Sequence, residues 1–147
     1  MSPFSILRRA ALPCLILLPA CSSSTGTTGS DTSFPAEALQ VMACDPNMLS
    51  IEVRTAPVQP PTTGLDGVEV VLTDPKTGDP IDGVQIALVP WMPLMGHGAD
   101  LTPQLKAMGK GHYVFTNVNL YMPGEWQLRF QFSGKVTCSA APTFNVP

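Results

Sequence analysis

A strict alternation of apolar and polar side chains over residues 126–133 constrains the fold of this chain more than any other feature. Trp126, Leu128, Phe130 and Phe132 occupy every second position of that segment. Successive side chains of a β-strand point to opposite faces, so the segment predicts a strand with its apolar face in a core. Shorter patterns of the same kind predict further strands at residues 51–54, 68–73, 84–89, 110–118, 136–139 and 143–146.

The predicted strands are short, and segments rich in turn-forming residues separate them. The chain has 16 prolines and 12 glycines, and residues 74–80 contain two prolines, a glycine and two aspartates. About seven short strands at this spacing predict an all-β fold, an immunoglobulin-like two-sheet β-sandwich. Helical periodicity is weak and predicts no more than a turn of helix at residues 102–108. Residues 56–67, which include three prolines, are predicted to form a crossing loop or an edge segment.

The amino-terminal residues have the pattern of an export signal. Arg8 and Arg9 precede an apolar stretch that is shorter than the ~20 residues a membrane-spanning helix needs. The stretch ends in Leu18-Pro19-Ala20-Cys21, which resembles the bacterial lipobox. The resemblance implies a lipoprotein signal peptide over residues 1–20, cleavage before Cys21 and lipidation of its thiol. The alternatives are an ordinary signal peptide and an uncut membrane anchor.

Residues 21–35 are predicted to be a lipidated, flexible tether. They are mostly serine, threonine and glycine, and such a segment cannot bury enough apolar surface to offset its ordering entropy. Residues 36–147 then form one domain with a single core. The predicted partner of the tether is a membrane, reached through the lipid anchor. The residue after the lipidated cysteine is Ser22, whereas an aspartate at that position would favour retention in the inner membrane. The predicted location is therefore the outer membrane, facing the periplasm.

The cysteines predict one disulfide bond. If Cys14 leaves with the signal peptide and Cys21 carries the lipid, Cys44 and Cys138 remain. Two thiols left in a small domain in an oxidising compartment usually pair. The alternative is a metal-binding or disulfide-exchanging pair, which no C-x-x-C spacing supports.

A run rich in soft metal ligands lies between two predicted strands. Residues 91–97 bring Trp91, Met92, Met95 and His97 together, in a chain with only two histidines. Thioether and imidazole ligands suit Cu(I), whereas Mg²⁺ and Ca²⁺ prefer oxygen. The run therefore predicts a Cu(I) site made by Met92, Met95 and His97, with Met122 as a candidate fourth ligand.

Two further interpretations concern the residues around this run. The ring of Trp91 is predicted to cover the ion through a cation–π contact. The alternative is that Trp91, Met92 and Met95 fill the end of the sandwich, with His97 an ordinary loop residue. His112 is predicted to be a surface histidine, and Met108 to be exposed or packed.

Composition and motifs argue against several classes of function. The net charge is −3 and there is no basic patch, which excludes nucleic acid as a predicted partner. The chain has no G-x-S-x-G, H-E-x-x-H or phosphate-loop motif, so it is not predicted to be an enzyme. Aspartates in turn-rich surroundings are predicted to cap turns, namely Asp66, Asp79, Asp82 and Asp100.

Several of these segments together resemble the YtkA-like domain family. The matching stretches are residues 65–74, 80–83, 92–97, 111–113 and 122–126. The resemblance covers roughly residues 66–132 and implies an immunoglobulin-like β-sandwich exported beyond the inner membrane. It also implies an association with copper-handling or oxidase-assembly proteins of the envelope. The chain departs from Sco-type copper chaperones because it lacks their C-x-x-x-C motif.

The sequence therefore predicts a membrane-anchored envelope lipoprotein that binds copper through a Met/His loop, for buffering or transfer. The alternative is a structural or protein-interaction module of the envelope that binds no metal.

Overall fold

The computed structural model describes residues 33–44 and 48–147. The predicted signal peptide and Cys21 lie outside the described residues. In the described part of the chain there are ten strands: β1 (Gln40–Cys44), β2 (Leu49–Ala56), β3 (Gly64–Thr73), β4 (Val84–Met92), β5 (His97–Gly98), β6 (Gln104–Gly109), β7 (His112–Leu120), β8 (Gly124–Gly134), β9 (Cys138–Ala140) and β10 (Thr143–Val146).

Two antiparallel sheets form a β-sandwich, which confirms the predicted fold class. The first sheet has the strand order β1-β2-β3-β7-β6, and the second has the order β10-β8-β4-β5, with β9 also paired to β8. The described residues form ten strands where the sequence pattern predicts about seven. The additional strands are β1, β5 and β6, of which β5 has two residues.

The predicted turn of helix at residues 102–108 is wrong, because β6 occupies most of it. Gln104 pairs with Thr116 and Ala107 pairs with Tyr113 in the neighbouring strand. All six residues of β6 are exposed at the edge of the first sheet. The segment has only a short alternation, Leu105 and Ala107 against Gln104 and Lys106, and none of these residues is buried. Hydrogen bonding to β7 therefore decides its conformation more than the local pattern does.

The apolar face predicted for residues 126–133 is buried in the core, as expected. Trp126, Leu128, Phe130 and Phe132 of β8 are each at most 2% exposed. Phe130 contacts Phe115 of β7 across the sandwich, with ring centroids 6.1 Å apart. The first sheet contributes a matching set of buried side chains, among them Ile51, Val53, Val68, Val70, Leu72 and Tyr113.

The predicted disulfide bond is confirmed. Cys44 at the end of β1 is bonded to Cys138 at the start of β9, across a sequence separation of 94 residues. Since β1 belongs to the first sheet and β9 pairs with the second, the bond joins the two sheets covalently.

Asp66 does not cap a turn, contrary to the prediction. It lies within β3, opposite Val118 and next to a β-bulge, and it is only 6% exposed. Its Oδ2 atom has no hydrogen-bond partner among the described residues. Burial away from water raises the pKa of Asp66 from 3.8 to about 7, because desolvation disfavours the charged carboxylate.

The described residues include no helix long and apolar enough to cross a membrane.

Candidate metal site

The β4–β5 hairpin places two of the predicted ligands directly opposite each other. Met92 ends β4, His97 begins β5, and the two are paired in register. The intervening loop is closed by the Gly96 N–H, which donates to the Met92 carbonyl at 2.9 Å. Gly96 has a φ of +70°, a conformation that favours glycine. Directly opposite residues share one face of a sheet with Cβ atoms about 5 Å apart, so Met92 and His97 are neighbours.

The His97 ring is held by contacts on one of its nitrogens. Nδ1 lies 3.3 Å from the Gly98 carbonyl oxygen and 3.1 Å from Tyr121 Oη. A hydrogen on Nδ1 suits both contacts, because the Gly98 carbonyl can only accept and the Tyr121 hydroxyl can accept as well as donate. Nε2 of the neutral ring then carries the lone pair, which is the form that binds a metal ion.

Tyr121 connects His97 to the core. The His97 and Tyr121 rings stack with centroids 6.1 Å apart, and Tyr121 meets the edge of Trp126 with centroids 5.7 Å apart. Trp126 is fully buried. The position of the imidazole is therefore fixed through aromatic contacts at one end of the sandwich.

The three candidate methionines differ in their access to solvent. Met92 is 4% exposed and packs in the core, where a Cβ on Gly124 would lie 3.0 Å from its Cε. Met95 lies in the hairpin loop and is 56% exposed. Met122 is partly buried against the core, and its carbonyl accepts the indole N–H of Trp126 at 2.9 Å. Only Met95 presents its thioether openly to solvent, while Met92 lies on the same face as His97.

The structure does not bring Trp91 to this cluster. Neighbouring residues of a strand face opposite sides of the sheet, so Trp91 points away from Met92. The cation over its ring is the Arg129 guanidinium, whose Cζ lies 4.4 Å from the ring centroid. Trp91 also packs close to Gly98, where a Cβ would come within 3.4 Å of the indole.

His112, as predicted, belongs to the surface and not to this cluster. It lies at the start of β7, whereas the hairpin site lies beyond Leu120 at the other end of that strand. At ~3.3 Å per residue, the two ends of β7 are roughly 25 Å apart. Among the described residues, no group of three or more His, Cys, Asp or Glu side chains is placed to hold a metal ion.

Tyr121 is the site residue that sequence reasoning missed. It directly precedes Met122, which the pattern does single out, and lies in the loop between β7 and β8. An aromatic residue three positions after the strand predicted at residues 110–118 is the only local signal. Its contact with His97 joins residues 24 positions apart, so the pairing depends on how the two sheets stack.

Two comparisons with known proteins match the β-sandwich domain. A family model described as YtkA-like matches residues 46–131. The chain is also similar to a solved structure of a DUF4426 family protein from Pseudomonas aeruginosa PAO1, with a TM-score of 0.50 and 13% sequence identity. That alignment covers 72% of this chain and 93% of the other, and at this identity it shows the fold alone. Comparison with curated proteins finds no significant match.

Proposed function

The chain belongs to the YtkA-like family, and on this premise we propose that it binds copper as Cu(I) at the β4–β5 hairpin. His97, Met95 and Met92 supply the ligands, with Met122 as a fourth ligand or near neighbour. The protein buffers the ion or passes it to copper-handling or oxidase-assembly proteins of the bacterial envelope. A lipid on Cys21 anchors it to a membrane, with the outer membrane favoured.

The observation that carries this proposal is the in-register pairing of His97 with Met92 across the β4–β5 hairpin. Hydrogen bonding at Nδ1 favours the tautomer with a free lone pair on Nε2. Met92 lies opposite His97 on the same face of the hairpin, and Met95 lies two residues before it in the loop. Imidazole with thioether is a neutral, soft ligand set, which suits Cu(I) better than the hard divalent cations.

The exposure of the ligands supports a role in holding or transferring the ion. Met95 is 56% exposed and His97 is half-buried, so a partner protein can approach both. Met92 is almost fully buried, and its sulfur would form the floor of the site. Trp91 is no part of the proposed ligand set, because its ring faces Arg129 on the other side of the sheet.

We expect His97→Gln to lose one bound Cu(I) per chain, because glutamine keeps a polar side chain but has no imidazole nitrogen. Met95→Leu should weaken the same site at least tenfold, since leucine keeps the apolar volume and removes the sulfur. The measurement is an anaerobic Cu(I) titration of the purified protein against a competing colorimetric chelator.

Met48→Leu is the matched control for the methionine variant. Met48 is 46% exposed and lies next to β2, outside the hairpin site. Its substitution should leave Cu(I) binding unchanged. If His97→Gln and Met95→Leu both bind copper like the wild type, the proposed site is wrong.

A protein-interaction module is the second candidate function, and exposed apolar side chains favour it. In the β4–β5 loop Leu94 is 83% exposed and Met95 is 56% exposed, and Tyr121, which contacts His97 from the β7–β8 loop, is 42% exposed. Clustered exposed apolar residues often mark interaction surfaces. Met95→Leu separates the two functions, because it preserves an apolar docking surface and removes a copper ligand. Leu94→Asp should have the opposite effect, weakening docking and sparing copper.

Replacing Cys21 with serine is expected to abolish lipidation, because only the thiol can carry a thioether-linked lipid. The variant should lose fatty-acid label and move from the membrane fraction to the soluble fraction, since two or three acyl chains supply the anchor. Metabolic labelling with a fatty-acid analogue and membrane fractionation measure both effects. Persistent labelling of Cys21→Ser would contradict the lipoprotein proposal.

A further inference from the structure

We propose that the β6–β7 hairpin forms a second soft-metal site, in which Nε2 of His112 and Sδ of Met108 bind Cu(I). The site lies on the outer face of the first sheet, at the opposite end of β7 from the hairpin site of His97. It goes beyond the proposed function and does not depend on it, because the two sites share no residue.

A rigid turn brings the two proposed ligands together. Gly109 is paired with His112, and Met108 lies at the bulge just before this pair. The three turn residues Gly109, Lys110 and Gly111 have φ values of +83°, +54° and +75°. A left-handed conformation over three residues produces a tight reversal of the chain, which holds Met108 and His112 side by side.

Contacts with neighbouring loops fix this turn in place. The Asp82 carboxylate accepts the backbone N–H groups of Lys110 and Gly111, at 3.1 and 2.9 Å. A Cβ on Gly111 would lie 2.4 Å from the Leu72 carbonyl oxygen, so no other residue fits there. The turn is thus a fixed support for the two ligands.

Glu69 orients the His112 ring. Its Oε1 lies 2.9 Å from Nδ1 of His112, and its Oε2 lies 3.6 Å from the Arg54 guanidinium. A carboxylate accepts the N–H at Nδ1, which leaves the lone pair of the neutral ring on Nε2, pointing away from Glu69. A histidine that binds a metal ion through one nitrogen usually donates the other to such a group.

Both proposed ligands reach solvent. The side chain of His112 is 43% exposed, and Met108 is 56% exposed. They share a shallow depression on the sheet, which is lined by Phe34, Glu69, Met108, Lys110, His112 and Val114. An ion can therefore enter without any opening of the core.

The chemistry of the depression favours Cu(I) over other ions. A thioether binds Cu(I) and is a poor ligand for Mg²⁺, Ca²⁺ and Mn²⁺. The Glu69 carboxylate is already engaged by Arg54 and His112, so it offsets positive charge without acting as a ligand. Lys110 is the nearby positive charge, and its exposed side chain can extend into water away from the ion.

The test uses the full chain carrying His97→Gln, which removes the imidazole of the other site. Anaerobic titration with Cu(I) against a competing chelator should show one ion still bound per chain. Adding His112→Gln should abolish that binding, and adding Met108→Leu should weaken it at least tenfold. Glu69→Gln should weaken it by about 10- to 100-fold through loss of the orienting carboxylate.

Methionine methyl NMR locates the bound ion. In the His97→Gln chain, Cu(I) should shift the methyl resonance of Met108 and leave that of Met48 unchanged. The proposal is overturned if the His97→Gln chain binds no Cu(I), or if His112→Gln leaves its remaining binding unaltered.

The single variant His112→Gln distinguishes the two sites. If it retains one Cu(I), the site of His97 stands by itself. If it retains none, the site of His97 fails and the second site accounts for all binding.

Discussion

The free energy of unfolding should fall by up to about 4 kcal/mol between pH 4 and pH 8 because of Asp66 alone. Desolvation raises the pKa of this buried carboxyl from 3.8 to about 7 in the folded protein. The folded state therefore keeps a proton on Asp66 over a pH range in which the unfolded chain has lost it. Each unit of difference in pKa corresponds to about 1.4 kcal/mol.

The sign follows from the proton balance. Below about pH 4, Asp66 is protonated in both states and does not oppose folding. As the pH rises toward 7, only the folded state holds the extra proton, so stability falls with pH. Above pH 7 the buried carboxylate is charged in the folded state as well, and the loss is complete.

The measurement is chemical denaturation of the wild type and Asp66→Asn at a series of pH values. Asparagine keeps the volume and cannot ionise, so the difference in stability between the two proteins isolates Asp66. Asp79→Asn is the control, because Asp79 is exposed in the loop between β3 and β4. A stability difference between wild type and Asp66→Asn that stays constant from pH 4 to pH 8 would refute the prediction.

Removing the Cys44–Cys138 bond should cost about 4–5 kcal/mol of folding free energy. The bond closes a loop with a sequence separation of 94 residues, and restricting a loop of that size removes much conformational entropy from the unfolded chain. It also joins the short strand β1 in one sheet to the short strand β9 in the other. We expect loss of the bond to affect stability more than any single exposed substitution does.

The double variant Cys44→Ala/Cys138→Ala tests this without leaving a free thiol in the domain. Its unfolding midpoint and denaturant dependence should be compared with those of the oxidised wild type and of the wild type under a reducing agent. Reduction should lower the wild type to the stability of the double variant and leave the variant itself unchanged. Equal stability of the oxidised wild type and the variant would show that the bond contributes nothing.

The sequence determined the features that depend on local pattern. Alternation in residues 126–133 predicts β8, and the side chains on its apolar face are buried. Elimination of two other cysteines left Cys44 and Cys138, which are bonded. The short run of residues 91–97 also placed Met92 and His97 near each other, since a hairpin loop keeps sequence neighbours close.

Only the tertiary structure decided which side chains meet across the chain. β6 has no buried face, so its own sequence carries only a short alternation and does not show that it pairs with β7. Asp66 lies among turn-forming residues, yet the stacking of strands around it removes its carboxyl from water. Trp91 faces Arg129, and His112 meets Glu69 from a strand 43 positions away. Periodicity reports which face a residue occupies, but strand order and sheet packing determine what lies opposite that face.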